Sequence, residues 1–377
     1  MSEFQYVGFR AIDAPLSDDQ LGYMERQSSR AEITRWSFDN TYHYGDFRGN
    51  AVEMLQRGYD VHLHYANFGI RKLMIRLPCG LQISKALGSK YIDGERVAWR
   101  PDAKGPAGIL TISVGTDPGA LDELWDVDEY LDRVVGVRRQ LVDGDLRPLY
   151  VAWMCGCQCD EVDPKSAVEP PVPAGLAESS DAITAMLNYF DLTPLVLAAA
   201  AERSPLLEAR SDQEAAMAEW LESIDASTLR EWISRFLAGE TAAARNACLQ
   251  AFRAARKIPP WSTTKGTRTF AQLLQRAEEL EEEERVREQS RREQARRQQM
   301  ADMARSPKKY LDEVDKHVAM RGRDHYEQAA QLLSDMREAI GGAAGDKITR
   351  KHAAHLQKKH PTLKMLTGAL RRKGLLS

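Results

Sequence analysis

The spacing of apolar side chains changes once along this chain, near residue 120, from about two to about three and a half. It never changes back. A period of two puts alternate residues on opposite faces of a strand, and the longer period draws a stripe down one side of a helix. The first third must therefore supply a sheet and the remainder must supply helices, which is the α+β class.

Within the first part, residues 5–12 set Val7, Phe9 and Ala11 on one face. Residues 33–44 do the same with Trp36, Phe38, Tyr42 and Tyr44, and only Asn40 is polar among them. Such an aromatic face suits a core better than a base-stacking platform, because two amphipathic helices are at hand to cover it. Further strand-like runs are 61–65, 71–77, 96–99 and 109–114, the last closed by the turn Gly115-Thr116-Asp117-Pro118-Gly119. One helix starts at Ser17, with Gln20 placed to complete a capping box and Leu16 and Leu21 placed as a staple. A second, near residues 51–57, rests on Val52 and Leu55. The order predicts a mostly antiparallel sheet with helices on one face. It loosely resembles a ferredoxin-like arrangement.

From Leu121 the helical period takes over. Leu124, Leu131, Val134, Val135 and Leu141 stripe one helix, and residues 149–154 form another after a Gly144-Asp145 break. Residues 161–180, with Glu169-Pro170-Pro171-Val172-Pro173, read as a stiff polar linker that ends a domain spanning 1–160. An all-helical half follows: a helical domain over 181–266, a long charged helix over 267–305, and helical hairpins over 306–377. Helix starts are marked by Thr193-Pro194 and by Ser211-Asp212-Gln213-Glu214. Leu229, Trp232, Ile233 and Phe236 stripe a helix closed by Gly239, and the loop Pro259-Pro260-Trp261-Ser262 precedes the charged helix. Between Glu281 and Gln299 the only apolar residues are Val286 and Ala295, so that segment buries little and relies on Glu–Arg pairs one turn apart.

No basic stretch followed by an apolar run opens the chain, and the richest apolar window, residues 195–201, is too short for a bilayer. These features predict a soluble cytoplasmic protein without membrane contact. The five cysteines are odd in number and three crowd into Cys155-Gly156-Cys157-Gln158-Cys159, which suits a reducing compartment. Charge is uneven. Residues 1–165 carry 19 basic and 25 acidic side chains, whereas 267–377 carry 24 and 17, and from Lys347 onward there are nine basic residues and no acid.

The stretches Phe9-Arg10-Ala11-Ile12-Asp13, Ser29-Arg30-Ala31-Glu32-Ile33-Thr34 and Gly45-Asp46-Phe47 resemble an uncharacterised family of bacterial proteins, which implies no particular activity. Residues 306–376, through Tyr326, Leu332-Leu333, Met336-Arg337 and His360-Pro361, resemble the helical tails of SWIM-type zinc-finger proteins. The finger itself is absent, because neither Cys159 nor Cys248 is followed two residues on by His.

His62-Leu63-His64 is the sharpest candidate for chemistry, since both imidazoles of a strand pair reach one side and Asp60 is in register with them. His43 or Asp46 could supply another ligand from a neighbouring strand, and carboxylates would have to finish the site, as residues 65–316 contain no histidine. Cys155 and Cys159 share a helical face that Cys157 does not, which favours thiols packed at a helix end over a metal site. No nucleophile elbow, phosphate loop or dinucleotide fingerprint occurs, so no cofactor is expected. The leading expectation is a non-enzymatic interaction or scaffold protein with a protein partner. A second is nucleic-acid association through Lys347, Arg350, Lys351, Lys358, Lys359, Lys364, Arg371, Arg372 and Lys373. A third is metal-dependent hydrolysis at His62 and His64.

Overall fold

The computed structural model describes residues 4–376 other than 116–123, 125, 160, 208–209 and 259–260, and the side chains of 210–214 also lie outside that description. The expected turn at 115–119, the helix start at Leu121 and the capping box at 211–214 therefore fall largely beyond it. Contacts divide the chain into two units, Met1–Leu280 and Glu281–Ser377.

The first unit opens with β1 (Gln5–Arg10), α1 (Asp18–Glu25), β2 (Glu32–Ile33), β3 (Ser37–Tyr42), α2 (Ala51–Arg57) and β4 (Val61–Ala66). It continues with β5 (Ile70–Leu77), α3 (Lys85–Tyr91), β6 (Val97–Pro101) and β7 (Gly108–Gly115). These strands form one seven-stranded sheet in the order β2-β3-β1-β4-β5-β7-β6, antiparallel at every join. The first four strands and two helices thus follow the β-α-β-β-α-β path, with β3 set between β2 and β1 and with β4 on the far side of β1. That is the ferredoxin-like topology, extended past β4 by three more strands.

Alternation decides what covers each face. On one side Val7, Phe9, Phe38 and Met74 pack against Met24 of α1 and Met54 and Leu55 of α2. On the other, Tyr6, Leu63, Leu73, Ile75 and Ile112 meet α4 (Val127–Val142), α5 (Arg147–Gly156) and α6 (Asp181–Tyr189). Helices therefore lie on both faces, where the first two alone would have covered one. Gly8 is needed for this: a Cβ there would sit 2.6 Å from the Leu131 side chain of α4. Helix α3, capped by Ser84, leaves no periodic mark in the sequence, because its seven residues bury only Gly88 and Tyr91 and draw no repeated stripe.

The aromatic face at 36–44 is only partly core. Phe38 is buried, but Trp36 and Tyr44 lie beyond the ends of β3 and are exposed. At α1 the capping box forms as its spacing predicts, with Ser17 Oγ accepting from Gln20 N and Gln20 Oε1 accepting from Ser17 N. Ser17→Ala is expected to cost about 1 kcal/mol, read as a lower urea midpoint. An unchanged midpoint would mean that the buried side of α1 suffices.

The proline stretch is not a linker. Glu169, Pro170 and the run from Val172 to Leu176 are buried, and β8 (Val172–Pro173) pairs with β9 (Thr263–Thr264). Glu169 is neutralised by Arg268, about a hundred residues later, and no local pattern reveals such a partner. Gly266 permits the approach, since a Cβ on it would meet Glu169 O at 2.2 Å. Residues 161–180 and 181–266 therefore share the core of the sheet, and the short β8–β9 pairing departs from an all-helical second half. The rest of this unit is α7 (Pro194–Ala201), α8 (Arg210–Glu222), α9 (Ala226–Leu237), α10 (Thr241–Arg256) and the start of α11 (Phe270–Arg305). The division between units falls inside α11, at Leu280, where its apolar residues run out.

The second unit holds the remainder of α11, then α12 (Pro307–Met320), α13 (Arg323–Ile340), α14 (Gly342–Lys359) and α15 (Lys364–Arg372). Its own core is formed by Met303, Val314, Val318, Ala329, Leu333, Met336, Leu356 and Leu370, among others. The helical hairpins expected over 306–377 are present as α12–α13 and α14–α15, and Gly341 ends α13 at a positive φ of 70°.

Candidate functional site

Strand β4 places His62 and His64 on the same face, opposite Phe9 and Val7 of β1. His62 is buried, stacks on the Phe9 ring at 4.1 Å and donates from Nδ1 to Gly8 O at 3.0 Å. Burial, then the neighbouring His64, lowers its pKa to about 3. His64 is lowered to about 4 by burial and by Lys72, its cross-strand neighbour. Both rings are neutral at pH 7, and His62 is closed off from solvent. Asp60 does not join them. Its carboxylate accepts from Ile12 N at 2.7 Å and from Asp13 N at 3.2 Å, and pairs with Arg138 at 2.8 Å. Among the described residues no three His, Cys, Asp or Glu side chains converge as metal ligands.

The cysteines also stay apart chemically. Helix α5 ends at Gly156, so the shared helical face expected for Cys155 and Cys159 does not extend that far. Cys155 is fully buried with its pKa raised, and burial pushes the Cys157 thiol up to about 12. Neither is a thiolate near neutrality, which removes the nucleophile from the 290 Å³ cavity that Cys157 lines with Tyr91, Arg96 and Trp153.

A wider cleft of about 540 Å³ lies beside β1 and the start of α4. Here Tyr6 Oη donates to Asp39 at 2.5 Å, Arg10 Nη1 donates to both Asp39 oxygens at 2.8 and 2.9 Å, and Arg10 Nε donates to Asp132 at 2.6 Å. Asp39 is thus held by both Tyr6 and Arg10. Burial first, and then Asp39, raises the Tyr6 pKa further above its ordinary value. The network locks β1, β3 and α4 together and offers neither a free base nor an activated nucleophile.

Helix α9 behaves differently from every other helix described for its side chains. Asp225 caps it by accepting from Ser227 N and Thr228 N, and Gly239 turns the chain away at a φ of +83°. Trp232 leans toward Trp220, whose ring centroid lies in turn 5.3 Å from that of Phe252. That contact holds one edge of α9. Leu229 is half-buried as well, but the C-terminal part of the face is open: Ile233 is 58 %, Phe236 57 % and Leu237 80 % exposed, and no residue of α9 is fully buried. The sequence marks this stripe, but periodicity shows that a face is apolar and not what covers it.

The basic residues of the tail are real surface. Lys347, Arg350, Lys351, Lys358 and Lys359 are exposed on α14, and Lys364, Arg371 and Arg372 on α15, with Lys373 half-buried just after it. Arg372 pairs with Glu327 of α13 and Lys373 bonds Gln331, which ties the end of α15 to α13. Arg350 lies 3.8 Å from Asp346.

No protein-family model matches this chain, and neither the curated proteins nor the solved structures yield a match. The resemblances to a bacterial family and to SWIM-type tails therefore carry no argument for function. No helix among the described residues is long and apolar enough to cross a membrane.

Proposed function

We propose that this chain is a non-enzymatic interaction protein that docks a protein partner on the open face of α9. The observation that carries this reading is the exposure of Ile233, Phe236 and Leu237 on a helix with no fully buried residue. Fully burying such side chains is worth roughly 1.5–3 kcal/mol each, and an amphipathic helix presented in this way is a common seat for a partner's groove or helix. In the cleft beside β1, Tyr6, Arg10 and Asp39 are already bonded to one another, which supports the same non-enzymatic reading. Hydrolysis at His62 and His64 is the weaker alternative, because Asp60 is held by Arg138 and not by the imidazoles.

The test is affinity capture with the full chain and with Phe236→Asp/Leu237→Asp. Both side chains already face water, so the variant is expected to keep its circular dichroism and thermal midpoint. A partner retained by the native chain is expected to be lost by the variant, with affinity down at least tenfold. If native and variant retain the same proteins equally, α9 is not the docking face.

A further inference from the structure

The structure points to a second surface, independent of α9: we infer that the outward face of α14 binds the phosphate backbone of a nucleic acid. Helix α14 turns one side to the core of its unit, burying Gly345, Thr349, Ala353 and Leu356. At 100° per residue the opposite side carries Lys347, Lys351 and Lys358, with Arg350 and His355 beside them. Asp346 is the only acid from Gly342 to the end of the chain, and it lies against Arg350. The three lysines make no ion pair among the described residues. More broadly, Glu281–Ser377 carries 22 basic and 15 acidic residues, whereas the first unit carries 30 and 40. The net positive charge therefore resides in the unit that holds α14.

Spacing favours a polymer of phosphates. With a rise of 1.5 Å per residue, Lys347 to Lys358 spans about 16–17 Å, which runs alongside about five successive phosphates of one strand. An anionic membrane is a poorer fit, since a helix lying in a bilayer must offer apolar residues and those of α14 face inward. A protein partner is also a poorer fit. Protein interfaces are depleted in lysine and anchored by aromatic residues, and this face has neither an aromatic anchor nor a large aliphatic one.

The experiment uses the full chain and a fluorescein-labelled 24-base-pair DNA duplex, followed by anisotropy from 50 to 300 mM salt. Duplex RNA of the same sequence and phosphatidylserine vesicles form parallel arms. Binding is expected at 50 mM salt and should weaken steeply as salt rises. Lys347→Gln/Lys351→Gln/Lys358→Gln should weaken it at least tenfold and flatten the plot of log affinity against log salt by about 2.7, roughly 0.9 for each lost phosphate contact. Arg285→Gln/Arg292→Gln, which removes two exposed arginines of α11 already paired with Glu282 and Glu288, should leave binding unchanged. Circular dichroism checks that all variants remain folded. The inference is overturned if neither duplex binds at 50 mM salt, if the lysine variant binds as the native chain does, or if vesicles compete the duplex away.

Discussion

Arg138→Ala is expected to destabilise the first unit by about 3–5 kcal/mol, the usual consequence of removing one partner from a buried ion pair. The side chain is 3 % exposed on α4. It donates to Asp13 at 3.0 and 2.6 Å, pairs with Asp60 at 2.8 Å and donates to Arg76 O at 2.9 Å. One guanidinium thereby joins a helix to the end of β1, the start of β4 and the end of β5. Without it two carboxylates are left close together with no cation. Burial already raises the Asp60 pKa despite the attraction of Arg138, and loss of the cation should raise it further. A carboxyl whose folded pKa is raised favours folding most at low pH and loses that contribution as pH rises. The deficit of the variant should therefore be largest near pH 7 and shrink on acidification toward pH 4. Urea midpoints at the two pH values check this. A deficit below 1 kcal/mol, or one independent of pH, would show that water reaches the carboxylates.

A comparable loss, again about 3–5 kcal/mol, is expected for Glu169→Ala. Its side chain is fully buried and accepts from Arg268 Nε and Nη2 at 3.0 and 3.1 Å. It also accepts from the backbone N–H groups of Thr267 and Arg268, and from Tyr150 Oη at 2.9 Å. Arg268 reaches on to the carbonyls of Ala199 and Ala200 at the end of α7. Removing the carboxylate strands a buried cation where the proline stretch, α7 and the start of α11 meet. Burial tends to raise the Glu169 pKa, but Arg268 and the other donors together hold it below the usual value. The sign is thus opposite to that of Asp60. Its stabilisation is present above the ordinary glutamate range near pH 4 and is lost as pH falls through the lowered folded value. The gap between native chain and variant should narrow in acid for this reason. Guanidinium unfolding at pH 7 and pH 3 measures it, and a gap unchanged at pH 3 would mean that Glu169 does not act as a carboxylate.

The two pairs also show where reading from the chain stops. Ser17 and Gln20 cap α1 from three residues apart, and the stripe Tyr310, Val314, Val318 packs across a short turn on Tyr326, Leu333 and Met336. Interactions of this range are written into neighbouring residues. Glu169 finds Arg268 across about a hundred residues, so its stretch looks polar and solvated from sequence while standing in the core. His62 alternates correctly with His64, yet whether a strand face meets water or a second layer depends on which helices return to it. On α9 the apolar stripe is covered only in part, near Trp232, and Ile233, Phe236 and Leu237 stay exposed.

By itself the sequence determined the change from strands to helices, the antiparallel character of the sheet, the long charged α11 and the run of lysines on α14. Each is a matter of periodicity, capping or local charge, which act within a few residues. Only the tertiary structure decided that helices cover both faces of the sheet and that the proline stretch is core. It alone placed the chain's division inside α11, tied Asp60 to Arg138 and left the face of α9 open. Those outcomes depend on which distant segments come together, because burial is a property of the assembled surface and not of any single strand or helix.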